Sequence, residues 1–292
     1  MPLRPAFPLS LALCLGPGLA SQDPAAGSLF ERAWSPGAGS GVPGSDVRSH
    51  KPSYLLLGRY SDHPNREPHS PTRPAQAVAL RHLESKFQVS FKVLLGTMEA
   101  QRLSLWGGYT QQSHWQVYSA AQSRPFRETN YEPELMLAWQ PQREVLGLRW
   151  SLATLGFNHQ SNGKSEPLSR SWNRVIAQFG FERGPLALIL RPWMRVSESR
   201  AEDDNPDLDH YLGHGEAVAI LKLGRHTVTG TGRLNTHSGK GAFQAAWSFP
   251  LSPEGRALRG YVQVFTGYGE SLVDYNWRQN TIAIGFCLSE WM

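Results

Sequence analysis

The chain has 292 residues, 40% of them hydrophobic and 18% charged, with a formal net charge of +5. Two cysteines are too few for a disulfide scaffold, and no block of Lys and Arg interleaved with aromatics marks a nucleic-acid groove, so no nucleic-acid partner is expected. Beyond the N-terminus no apolar run reaches the roughly 20 residues of a membrane-spanning helix; this leaves β-barrels open, because they span with alternating strands of about 10 residues.

Residues 1–20 read as a secretory signal peptide. Arg4 is the only charge, an apolar stretch runs from Ala6 through Leu15, and Gly18-Leu19-Ala20 supplies small residues for cleavage. Leu13, rather than a small residue, precedes Cys14, which argues against lipidation. Cleavage leaves Cys287 as an unpaired, inert strand residue. Residues 21–50 are rich in Gly, Pro and Ser and predict a flexible leader with little core to bury.

From residue 51 to 292 the pattern is strand, turn, strand. Phe87, Val89, Phe91 and Val93 alternate with Gln88, Ser90 and Lys92. Leu186, Leu188, Leu190 and Met194 oppose Arg191 and Arg195, and Ala217, Ala219, Leu221 and Leu223 oppose Lys222. Ile282, Ile284, Phe286 and Leu288 form a last alternating run, followed by Trp291 as the aromatic terminus of the assembly signal. Turn residues separate the runs, as in Asn205-Pro206-Asp207 and Ser238-Gly239-Lys240-Gly241. A soluble sandwich would alternate too. The secretory signal, roughly twelve runs at barrel spacing and charges on the putative inner parity favour an all-β, twelve-stranded antiparallel transmembrane β-barrel. Arg174, Glu182, Arg191, Arg195 and Lys222 would then form an interior charge lattice that plugs it.

The stretch from Asn158 to Asn173 carries the chemistry. His159 and Ser161 continue the parity of Ala153, Leu155 and Phe157, while Asn173 continues that of Val175, Ala177, Phe179 and Phe181. Residues two apart on a strand face the same side, so a base, a nucleophile and an amide all fall on apolar faces. A serine hydroxyl needs such a base to act as a nucleophile at neutral pH, and an amide oxygen can hold the imidazole in one tautomer. Asn173 would orient without supplying charge. Gly163 lets the backbone approach a substrate closely. His, Ser and Asn are also common in plain strand-end loops; their shared position on a lipid-facing side is what demands a reason.

Asn158-His159-x-Ser161-Asn162-Gly163, followed by Ser165, Pro167 and Ser169-Arg170-Ser171-Trp172-Asn173-Arg174, resembles the signature of the outer-membrane phospholipase A family. The blocks Pro125 to Pro133, Asp203 to Asp207 and Gly267 to Asn276 are similar to it in the same order, and the resemblance runs from about residue 52 to the end. It implies a bacterial outer-membrane barrel whose site faces the outer leaflet and hydrolyses acyl esters of phospholipids and lysophospholipids. It implies Ser161 as nucleophile, His159 as general base, Asn173 as its orienter and the Gly163 N–H in the oxyanion hole. It implies calcium, held by the Ser169 hydroxyl, the Lys164 carbonyl and the carbonyl of the partner subunit's Ser123, so that a homodimer is the active form. A further calcium site in the monomer would use Glu166 and Asp204, with Glu166 standing in place of a shorter aspartate. Gln111 reads equally as a lumen residue or a lipid-facing one; the resemblance makes it an amide at the dimer interface. The alternatives are a catalytically silent barrel acting as a pore or scaffold, against which the intact His159, Ser161, Asn173 and Ser169 argue, and a soluble secreted esterase with an apolar core.

Overall fold

The computed structural model describes residues 28–35, 46–98, 100, 102–199, 201–252 and 258–291. The signal peptide, with Cys14, lies outside the described residues, as does most of the 21–50 leader. Twelve long strands carry the fold: β1 (Ser53–Ser61), β2 (Leu83–Met98), β3 (Leu103–Trp115), β4 (Phe126–Trp139), β5 (Leu148–Ser161), β6 (Ser171–Arg183), β7 (Leu186–Val196), β8 (Gly215–Leu223), β9 (His226–Leu234), β10 (Gly241–Pro250), β11 (Arg259–Tyr268) and β12 (Arg278–Ser289). Each pairs antiparallel with the next, and β12 pairs with β1, closing the sheet into the expected barrel. Two short strands, Val47–Ser49 and Arg143–Val145, add to β2 and β5. The shortest connections, two residues at 184–185 and 224–225, lie at the end that carries both termini, and the longest, 62–82 and 197–214, at the other, the asymmetry of a barrel with periplasmic turns and extracellular loops.

The barrel is inside out relative to a soluble protein. On β5, Leu155 and Phe157 are 59% and 49% exposed, while Thr154 and Asn158 between and beside them are buried inward. The same alternation holds on β2, where Val89 and Phe91 face out and Ser90 and Lys92 face in, and on β12, where Ile282, Ile284 and Leu288 face out. Outward aromatics gather at the strand ends, as in Trp115 stacked on Phe126 near one rim and Trp139 against Trp150 near the other. Exposed leucines and isoleucines around a closed wall are stable only against lipid. An arginine at Leu155, near the middle of β5, should therefore cost about 2–4 kcal/mol, read as a fall in unfolding free energy in bilayers. A change within about half a kcal/mol, the usual range for a water-facing surface residue, would mean that this band does not meet lipid.

The bore is filled in two layers. Towards the loops, Arg59 bonds Glu84, Glu270 and Gln279; Lys86 also meets Glu270; and Arg127 links Glu84 to Asp274. A second charge cluster joins Lys51 to Glu132 and Glu134, Arg174 to Glu132, and Arg191 to Glu134 and Glu216. The lattice is thus wider than the parity argument foresaw, because its acids come largely from β2, β4 and a loop. Arg195 leaves it to pair with Asp203 at the rim. Towards the termini the filling is mixed: an apolar cluster occupies part of it, with the buried Lys92 ammonium 4.1 Å from the Trp34 ring centre and an Arg259–Glu290 ion pair at the same end. The short helix α1 (Leu29–Trp34), with Ser28 capping it in a reciprocal box with Glu31, packs Phe30 and Trp34 against Trp106, Met136, Leu152, Ile189, Val218 and Ile220. Glu182 accepts the Leu29 N–H at 3.0 Å and so anchors the helix. The described part of the leader therefore does bury core, contrary to its composition: a six-residue helix is too short to show a period among Gly and Pro. Trp291 lies beyond β12 and packs on this inner cluster, and Cys287 is a buried free thiol pointing inward. A cavity of about 190 Å³ remains between the layers.

Candidate active site

The site begins where β5 ends and β6 starts. The hairpin register sets His159 directly opposite Asn173 and Ser161 opposite Ser171, while Tyr131 of β4 flanks Ser161 on its other side. All lie on the outward row that carries Leu155 and Phe157. His159 Nδ1 is 2.8 Å from Asn173 Oδ1. The amide cannot be turned round without loss: its Nδ2 donates to Glu198 Oε1 at 3.0 Å, and a carboxylate only accepts. The amide oxygen must therefore face the imidazole, the imidazole must donate from Nδ1, and Nε2 is left as the basic nitrogen. Ser161 is two residues along the same face, where Cβ atoms are about 6–7 Å apart and a side-chain contact is within reach.

The loop 162–170 is built around Asn162. Its buried side chain donates to the Leu168 carbonyl at 2.8 Å and accepts from the Arg170 N–H at 2.9 Å and the Lys164 N–H at 3.3 Å, binding the two halves of the loop together. Gly163 has φ of 61°, and a Cβ there would press on the Tyr131 ring at 3.2 Å; both features call for glycine. The Lys164 ammonium donates to the Arg127 carbonyl at 2.5 Å. Burial holds its pKa below the usual lysine value, with the nearby Glu128 carboxylate pulling the other way. Ser169 donates its hydroxyl to Asp204 Oδ2. Asp204 Oδ1 meets Arg73, which also reaches Glu166. The two carboxylates expected to hold a further calcium are thus already bridged by a guanidinium.

Ser123 sits apart from these groups, exposed in a left-handed conformation after the 3-10 turn Ala120–Gln122, on the loop between β3 and β4. Gln111 lies on the outer row of β3 between Val89 and Tyr131. Its amide accepts from the Tyr109 hydroxyl at 3.1 Å and donates to Ser113 at 3.3 Å, so within one chain it is not left bare towards lipid.

The other sequence blocks hold the loops over the barrel mouth. Glu128 accepts the Val273 N–H and Asn130 the Leu272 N–H, tying β4 to the loop after β11. Asn205 accepts the Ser171 N–H at 3.0 Å, and Asp207 accepts from the Tyr275 hydroxyl at 2.5 Å. Burial and the Asp207 carboxylate raise the Tyr275 phenol above its ordinary pKa, so it stays a donor.

Two residues at the site were not foreseen in the sequence, Glu198 and Arg73. Glu198 continues the outward row of Met194 and Val196 past the end of β7, so the parity rule would have found it. Arg73 carried no such mark. It comes from the Pro-rich loop between β1 and β2, 131 positions from Asp204 in the chain.

A model of the phospholipase A1 family matches residues 32–288. A relative from Neisseria meningitidis serogroup B, named for that activity, is 42% identical over 254 residues; the match spans 84% of this chain and 65% of that protein. The phospholipase A1 of Escherichia coli K12 is 37% identical over 211 residues, 71% of this chain and 70% of that one. Among solved structures, the outer membrane phospholipase A of Escherichia coli superposes with a TM-score of 0.75 at 31% identity, covering 84% of this chain and 95% of that one. A Salmonella typhi outer membrane phospholipase dimer with bound calcium also gives 0.75 at 31% identity, covering 85% and 94%. A closed twelve-stranded wall, an outward His–Asn pair beside a serine, and a family match over most of the length agree: the chain belongs to the phospholipase A1 family of outer-membrane β-barrels.

Proposed function

We propose that this chain is a calcium-dependent outer-membrane phospholipase that hydrolyses acyl esters of phospholipids and lysophospholipids, with A1, A2 and lysophospholipase activity, and is switched on by dimerisation. The observation that carries the reading is the 2.8 Å contact of His159 Nδ1 with Asn173 Oδ1, on a lipid-facing row that also holds Ser161. In the proposed mechanism the Ser161 hydroxyl attacks the ester carbonyl while His159 Nε2 takes its proton. The collapsing tetrahedral intermediate expels the alcohol, which leaves as the lysolipid with that proton, and water then repeats the cycle on the acyl-serine. The Gly163 N–H is the proposed oxyanion donor. Asn173 fixes the imidazole, and Glu198 fixes Asn173.

Calcium enters through an all-oxygen donor set, which suits a hard cation. The Ser169 hydroxyl donates to Asp204 and keeps its lone pairs; Lys164 has its ammonium committed elsewhere and would offer its carbonyl. The third ligand is the carbonyl of the partner subunit's Ser123. The bound ion would polarise water or the carbonyl oxygen. Gln111 fits the proposed dimer face, since it lies on the outer row and could exchange its local bonds for its copy across the axis, a gain of about 1 kcal/mol. The filled bore speaks against a pore as the alternative.

The direct test is release of fatty acid from phospholipid micelles by refolded protein, with and without calcium. Turnover that ignores calcium, or its absence from a folded and dimeric barrel, would refute the reading. A finer test is Asn173→Ala, which removes orientation rather than chemistry. The expected loss is about tenfold in kcat, the worth of one hydrogen bond of about 1–1.5 kcal/mol. Glu198→Ala should cost less than that alone and add nothing to Asn173→Ala. Multiplicative losses in the double variant would show that Glu198 acts independently of the amide.

A further inference from the structure

Arg73 occupies the place where the two carboxylates of the rim converge. Its Nη2 lies 2.6 Å from Asp204 Oδ1 and 2.8 Å from Glu166 Oε1, and its Nε lies 2.9 Å from the same Asp204 oxygen. The second Asp204 oxygen accepts the Ser169 hydroxyl. Both oxygens of Asp204 are therefore in use, one by a full positive charge. The arginine is delivered by a built turn: Ser70 and Arg73 exchange backbone hydrogen bonds, the Ser70 hydroxyl donates to the Asp204 carbonyl at 2.7 Å, and Thr72 donates to the Asp203 carbonyl at 2.8 Å. Three side chains of one turn thus grip two residues of another loop.

A calcium ion needs six to eight oxygens at about 2.3–2.6 Å. A calcium ion on the Asp204 oxygen that a guanidinium nitrogen already meets at 2.6 Å would set two cations at close range, where they repel. We infer that Arg73 is the resident cation of the Asp204–Glu166 pair, so that this chain has exchanged a second calcium for an arginine. The fork geometry of a guanidinium can bridge two carboxylates that an ammonium would meet only as a point charge. Arg73 then acts as a positioning residue: it fixes Asp204, and Asp204 fixes the Ser169 hydroxyl. That last link rests on the proposed calcium role of Ser169; the exchange itself does not.

The test counts ions by equilibrium dialysis of calcium against refolded, folded-verified dimer in detergent. Arg73→Gln should bind about one more ion per chain than the parent. The added ion should be lost with Glu166→Gln, which is 68% exposed on its side chain and does not touch Ser169, and should survive Ser169→Ala. A parent protein that already holds an ion sensitive to Glu166→Gln would overturn the proposal. So would an Arg73→Gln variant that is folded and gains none. Failure of the Ser169 reading is separate: it would appear as a parent protein with no ion lost on Ser169→Ala.

Discussion

Ser161→Ala is expected to cut fatty-acid release by at least about a thousandfold while leaving the barrel folded. The size follows from the chemistry. Without a hydroxyl beside His159 there is no nucleophile to make the acyl intermediate, and the neighbouring groups can only polarise the ester or activate water weakly. The side chain lies on the outer face, partly exposed, at the last position of β5, so its loss opens no cavity in the bore and breaks no ion pair. Heat-modifiable gel mobility, checked beside the rate, separates a chemical defect from a folding one. Turnover within tenfold of the parent from a folded variant would remove Ser161 from the role of nucleophile.

Arg59→Met should be the most damaging single change to stability, at about 3–5 kcal/mol. Arg59 is buried and serves Glu84, Glu270 and Gln279 at once. Removing it leaves two carboxylates in the bore with fewer counter-charges, a larger penalty than the pairing itself is worth. Adding Glu270→Gln to Arg59→Met should recover part of the loss, because one unmatched charge is then gone. Denaturant unfolding of the refolded barrel would measure both. A loss below about 1 kcal/mol, the ordinary effect of a single substitution, would mean that water reaches this cluster and solvates it.

The outer surface was legible because strands have a period of two. His159, Ser161 and Asn173 fell on the apolar parity in the sequence and lie on the outer row in the structure, and Gln111 resolves to the outer side rather than the lumen. The interior was less legible. Parity marks Arg174 and Arg191 as inward but does not say which acids meet them, since Glu132 and Glu134 come from β4 and Glu216 from β8. Helix α1 was hidden by its surroundings: six helical residues between Gly- and Pro-rich stretches carry no period, and only the cluster around Phe30 and Trp34 explains why they fold. Arg73 was hidden by distance in the chain. A pairing between loops depends on how the rim closes, and local pattern does not encode that.

The two-layered filling of the bore has a consequence for the cell envelope. An open barrel of this strand number would be a leak, and its abundance would be limited by what the cell can tolerate losing. Here a lattice of ion pairs fills the outward half and an aromatic cluster with a few charges fills the inward half, leaving a cavity of about 190 Å³ between them. A wall filled from inside in this way offers solutes no straight path, so such a barrel adds little to what crosses the membrane, however much of it is made.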